Sequence, residues 1–203
     1  MKKGLSFLAA LVAIVTILSL AATEPAFARE PRIAAPKAFK ADYTYQVGAN
    51  TIEHGVMYFS HGRIREEAAP VEGGPTKVTI IEIIDEVTKT IYVLDSENKT
   101  FKVLPWDARS ALIAQALRPF EKHKLVDTKI IDGEECEDFE IRPKDKSIRP
   151  FYLFVNKKTR FPVQLTTVDP DPSKEIHIKW SNLTPGYQPA ILFNPPLGYK
   201  EIK

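Results

Sequence analysis

From Phe39 onward the chain alternates apolar and polar residues in short runs: FKADYTYQV, IEHGVMYFS, RIREEA, TKVTIIEIID, KTIYVLD, KTFKVLP, LVDTKIID, CEDFEIRP, RPFYLFVN, FPVQLTTVD and KEIHIKWSN. Each run is rich in β-branched and aromatic residues and is bounded by Gly, Pro, Asn or Asp, the residues that punctuate strands. The spacing predicts an antiparallel meander of about ten strands. One segment breaks the period. DARSALIAQALRPF, Asp107 to Phe120, consists of good helix formers, with Asp107 placed as an N-cap and Pro119 as a stop. VDPDPS, around Pro170, reads as a hairpin loop.

The stretch GVMYFSHGRIREE gathers His61, Arg63, Arg65, Glu66 and Glu67 and invites an active-site reading. With His61-Gly62 as a two-residue turn, Ser60 faces Arg63, Phe59 faces Ile64 and Tyr58 faces Arg65. Met57, Phe59 and Ile64 then share one face, and Tyr58, Arg63, Arg65 and Glu67 the other. The charges are explained by period-two alternation, and no nucleophile, base and orienting group assemble.

Two central runs are apolar on both faces. In TIIEIID, Ile81 and Ile83 point one way and Ile80 and Ile84 the other; in FYLFV, Phe151, Leu153 and Val155 oppose Tyr152 and Phe154. A sheet with one wet face would alternate with polar residues there, so both faces must meet apolar material, and one helix is available as cover. A closed barrel or sandwich with a packed interior satisfies this. So does a strongly curved, incomplete barrel whose concave side is an apolar cavity under the helix, with Leu112, Ile113, Ala116, Leu117 and Phe120 facing it.

The chain opens with Lys2 and Lys3, an apolar stretch from Leu5 to Leu20, and Ala26-Phe27-Ala28. That is the pattern of an export signal cleaved after Ala28, a retained membrane anchor being the alternative. Residues 29–38, REPRIAAPKA, hold two prolines and read as a flexible leader to a single domain over 39–203. Loss of Lys2, Lys3 and Glu24 takes the net charge of +2 to about +1. Charges are interspersed rather than blocked, which predicts no nucleic-acid partner. Cys136 is the sole cysteine, so the exported domain holds together by burial without an internal disulfide. Acidic neighbours Glu134, Glu135, Glu137 and Asp138 disfavour its thiolate. The four histidines are scattered, with no HExxH pair, and no GxSxG, phosphate loop or GxGxxG turn occurs, so neither metal, cofactor nor enzymatic activity is expected.

The order of the blocks FKADYTYQ, GVMYFSHGRIREE, TIYVLDSENKTFKVLP, the helix, DGEECEDFEIRP, FYLFVNKKTRFPVQL and LFNPPLGYKEI resembles the LolA-like outer-membrane lipoprotein carrier superfamily, particularly its uncharacterised exported relatives. The resemblance implies a mainly β fold, a strongly curved antiparallel sheet forming an incomplete (half) barrel with a helical lid, that carries acyl chains without a cofactor. It also implies that Arg63 or Arg65 contacts a head group or ties the lid to the strands. Carriers of the family begin with an amphipathic helix, which REPRIAAPKA cannot form.

Together these readings predict a periplasmic protein that binds a lipid or the acyl chains of a lipoprotein in an apolar cavity lined by Ile81, Ile83, Trp106, Leu112, Ile113, Leu117, Phe120, Phe151, Leu153 and Phe154. At about 0.8 kcal/mol per buried methylene, a chain of about sixteen carbons gains on the order of 10 kcal/mol before association costs. An envelope sensor that binds a polypeptide, such as a membrane-anchored envelope protein, is the alternative.

Overall fold

A computed structural model describes residues 37–69, 80–118 and 123–203. The export signal, residues 29–36 of the leader, Pro119 and Phe120 lie outside the described residues. Eleven strands match the eleven alternating runs: β1 (Ala38–Val47), β2 (Asn50–Ser60), β3 (Arg63–Ala69), β4 (Ile80–Asp85), β5 (Thr90–Asp95), β6 (Thr100–Pro105), β7 (His123–Ile131), β8 (Glu134–Ile141), β9 (Phe151–Asn156), β10 (Pro162–Thr167) and β11 (Ile176–Pro185). The two-residue β12 (Lys200–Glu201) and the single α-helix α1 (Ala108–Ala116) complete the regular structure among the described residues.

All twelve strands belong to one sheet, in the order β12-β6-β5-β4-β3-β2-β1-β11-β10-β9-β8-β7. It is an unclosed curved sheet, an open half-barrel with a helix. Two meanders, β1 to β6 and β7 to β11, join where β1 pairs antiparallel with β11. The topology therefore puts β6 and β7 far apart, and the chain between them crosses the concave face. That crossing carries α1.

Local chemistry sets the turns. His61 (φ 50°) and Gly62 (φ 79°) form the two-residue hairpin, and its register pairs Ser60 with Arg63, Phe59 with Ile64 and Tyr58 with Arg65, as the alternation predicts. Three other hairpins share one device. The side-chain oxygens of Asp85, Asp95 and Asn156 accept from the backbone N–H groups two and three residues on. Lys89, Lys99 and Arg160 then close each loop at positive φ. Asp107 caps α1, accepting from the Ser110 N–H at 2.7 Å.

Apolar side chains on the two faces meet different covers. On the concave side Phe39, Met57, Phe59, Ile64, Ile84, Phe139, Phe151, Leu153 and Trp180 form one core with Leu112, Ile113, Ala114, Ala116 and Leu117 of α1. On the convex side Ile83 and Leu94 pack with Phe193, flanked by Tyr58, Ile81, Tyr92, Phe101, Leu192 and Tyr199. The cover there is the C-terminal segment, whose 3₁₀ turn (Ala190–Phe193) lies against β3 and β4. The two-sided apolarity of TIIEIID thus has two causes, helix on one face and C-terminal strap on the other.

Candidate functional site

The helix lies in a bed of aliphatic and aromatic side chains and is held at both ends by arginine. Near its start, Arg109 reaches three strands: Nη2 is 2.8 Å from Glu53 Oε1 on β2, and Nη1 is 2.8 Å from Glu66 Oε2 on β3 and 3.2 Å from Glu82 Oε2 on β4. Its guanidinium also lies over the Tyr45 ring, 5.0 Å from the centroid. The Tyr43 hydroxyl donates to Glu53. Past the end of α1, Arg118 pairs with the buried Glu86.

Three carboxylates around one guanidinium leave excess negative charge in a dry place. Glu66 is 1% exposed, and burial pushes its carboxyl up to about 7; Arg109 opposes the rise, and Glu53 and Glu82 add to it. Burial raises Glu82 in the same way, and raises Tyr43 further from ionisation with help from Glu66 and Glu53. Burial disfavours the Arg109 charge, but Glu66, Glu53 and Glu82 more than restore it. The cluster therefore holds a proton on Glu66 to a higher pH than an ordinary carboxylate would, and Arg109 stays cationic.

Beside this clamp opens a cleft of about 370 Å³. Tyr45, Val47, Leu112, Ile148 and Ile176 give it an apolar lining, and Arg109, Arg149 and Lys174 stand among its polar residues. Arg149 pairs with Asp169, and Lys174 Nζ is 3.2 Å from Asp171 Oδ2. A second cleft, of about 540 Å³, lies toward the other end of β11, between Phe161, Val163, Trp180 and Leu183. Residues of α1 line the first cleft and none line the second.

The structure redistributes the residues expected around the cavity. Leu112 lines the first cleft. Ile113, Leu117, Phe151 and Leu153 are 0–1% exposed and fill the concave core with their neighbours, apart from the cleft lining. Trp106 packs partly buried at the edge of that core, under the Lys89 ammonium 3.5 Å from its ring centroid. Ile81 and Ile83 belong to the convex cluster under the C-terminal strap, not to the helix side. Phe154 alternates away from Leu153 and lies under Lys129, whose Nζ is 5.2 Å from its ring centroid. Phe120 falls outside the described residues.

The structure gives the expected arginines other partners. Arg63 pairs with Asp85 at 3.4 Å. Arg65 donates from Nε to Glu67 at 2.7 Å and from Nη1 to the Leu192 carbonyl at 3.1 Å, so it fastens the C-terminal strap on the convex face. The arginine that ties the helix to the strands sits on the helix, as Arg109. Its partners had a sequence signal. Glu66 alternates with Ile64 onto the apolar face, and it lies directly opposite Glu82, a like-charge pair that needs a cation between.

No family model and no curated protein matches the sequence. Structural likeness is plainer. An uncharacterised conserved protein from Thermus thermophilus superposes with a TM-score of 0.54 at 11% identity, over 82% of this chain and 90% of that one. The two share a fold. A LolA superfamily protein from Nitrosomonas europaea gives 0.45 at 11% identity, over 79% of this chain and 91% of that one. MucB, in the Pseudomonas aeruginosa MucA/MucB complex, gives 0.42 at 14% identity over 75% of this chain, which spans 53% of that one. At these identities the likeness is one of fold, and it rests on the Thermus thermophilus protein.

Proposed function

We propose that this is an exported, non-enzymatic binding or carrier protein of the cell envelope that holds an acyl chain of a lipid or lipoprotein in the cleft beside α1. The observation that carries the reading is the cleft itself, whose apolar lining comes from β1 (Tyr45, Val47), β11 (Ile176), the β8–β9 loop (Ile148) and Leu112 of α1. Its volume of about 370 Å³ falls in the range of small-molecule sites. At about 30 Å³ for a water-sized group, that is room for about a dozen methylenes. Their burial is worth on the order of 10 kcal/mol before association costs and residual exposure are subtracted. The rim groups are paired with carboxylates, so the grip comes from the chain rather than from a head-group charge.

Native mass spectrometry of the full-length protein, followed by solvent extraction, tests occupancy and identity together. The expected result is a lipid-sized adduct that Ile176→Glu removes, since this substitution puts a carboxylate into the cleft wall. Co-purification of one stoichiometric polypeptide with no lipid would establish the sensor reading instead. An adduct that Ile176→Glu leaves unchanged would place the ligand elsewhere.

A further inference from the structure

The two edges of the sheet are treated differently. At one end β12 pairs parallel to β6 and covers part of it. At the other end β7 bonds to β8 only, and the outward half of its backbone N–H and C=O groups has no strand beside it among the described residues. Seven of its nine residues are exposed, including Leu125 at 46%, Val126 at 48% and Ile130 at 69%. A bulge between Leu125 and Asp127 and the lysines Lys124 and Lys129 guard this edge against strands at large.

The charges of this edge are complementary to the strand itself. We propose that β7 pairs antiparallel with β7 of a second copy about a two-fold axis at Thr128, joining two half-barrels into one continuous sheet. In that register Asp127 stands opposite Lys129 of the partner subunit, and Lys129 opposite Asp127 of the partner subunit. Val126 stands opposite Ile130 of the partner subunit, and Thr128 opposite its own copy. The faces agree. Lys129 reaches Asp138 on one side of the sheet, its Nζ at 2.8 Å, and Asp127 pairs with Asp138 in the β8 register, while Thr128 and Ile130 alternate to the other side.

Only registers that keep opposed residues on one face are open to such a pair, so the alternatives step by two. One step away puts Asp127 opposite Asp127, and a step the other way puts Lys129 opposite Lys129. Like charges directly opposed are destabilising, so both neighbouring registers are disfavoured and the register at Thr128 is selected. The contact is one strand wide, well below the area of a standard interface, so the pair is weak and forms at high concentration.

The test is Thr128→Cys in the full-length chain, compared with Lys124→Cys, each exposed to a mild oxidant. Directly opposed antiparallel residues have Cα atoms about 4.5–5.5 Å apart, within disulfide range. The two Lys124 positions would lie eight residues apart along the paired strands, about 27 Å. A disulfide-linked dimer is expected from Thr128→Cys and not from Lys124→Cys or the parent chain, whose Cys136 is buried. Adding Asp127→Lys, which turns both Asp–Lys pairs into Lys–Lys, should cut the yield roughly tenfold. Absence of the Thr128→Cys dimer at several hundred micromolar, equal yields from both cysteine variants, or capture of a different protein at Thr128→Cys would each overturn the proposal. None of these outcomes touches the cleft, so acyl-chain binding stands or falls separately.

Discussion

Replacing Glu66 by glutamine should make the protein more stable at pH 8 and leave it nearly unchanged at pH 5. Glu66 is buried beneath Arg109, and its carboxyl is raised from an ordinary 4.5 to about 7. A raised acid binds its proton more tightly in the folded chain than in the unfolded one. Its contribution is therefore fully present below about pH 4.5 and is lost as pH rises through about 7. A difference of about 2.5 units at 1.36 kcal/mol each makes this loss on the order of 3 kcal/mol. Glutamine mimics the protonated acid and does not titrate, and Glu53 and Glu82 still hold Arg109. About 2.5 kcal/mol of this falls between pH 5 and pH 8, so with a denaturation slope of about 2 kcal/mol/M the urea midpoint of the parent should fall by about 1.2 M more than that of Glu66→Gln over that range. Glu82, Glu53, Asp107, Tyr43 and Tyr45 face the same cluster and remain in both proteins, so the difference between the two profiles isolates Glu66. Parallel profiles, or a variant weaker than its parent at pH 8, would refute the reasoning, since Arg109 would then need the third carboxylate more than burial opposes it.

Two further substitutions test other parts of the frame. Gly55→Ala places a Cβ 2.1 Å from the Glu67 carbonyl oxygen, so β2 and β3 must separate there, and a loss of about 1–3 kcal/mol is expected in chemical denaturation. Arg65→Ala removes the hydrogen bond to the Leu192 carbonyl, so faster amide hydrogen exchange should appear in the C-terminal strap and not in α1; equal changes in both would mean the strap and the helix open together.

The fold was legible where one residue settles one question. Alternation located β1 to β11, Asp107 located the start of α1, and His61-Gly62 set the hairpin register. What alternation cannot say is which of two apolar faces meets which cover. Ile83 and Ile84 are equally apolar neighbours, yet Ile84 packs toward α1 and Ile83 under Phe193. That assignment depends on a strap more than one hundred residues away in sequence, whose turn-rich composition carries no period. The clamp was half legible. Glu66 on an apolar face demanded a partner, but Arg63 and Arg65 were nearer in sequence than Arg109, and only the crossing of α1 brings the distant one in.

Arg109 and Leu112 belong both to the fastened helix and to the cleft, and this sets a limit on what the cleft can hold. A guest of up to about a dozen methylenes fits beside α1 without moving it. A longer chain must either project into water or push under the helix, where Ile113, Leu117 and Phe151 already fill the space. Exposing the large apolar side chains of α1 costs about 1.5–3 kcal/mol each, besides the Arg109 contacts, and the extra methylenes of a sixteen-carbon chain return only about 3 kcal/mol. Affinity measured over saturated fatty acids of increasing length should therefore rise by up to about fourfold per carbon and level off near twelve. Glu66→Gln, which leaves the cleft lining intact, should not move that break. A continued rise to sixteen carbons and beyond would show that the helix leaves its bed more cheaply than its burial implies, and the cleft would then be the mouth of a larger cavity that opens with the guest.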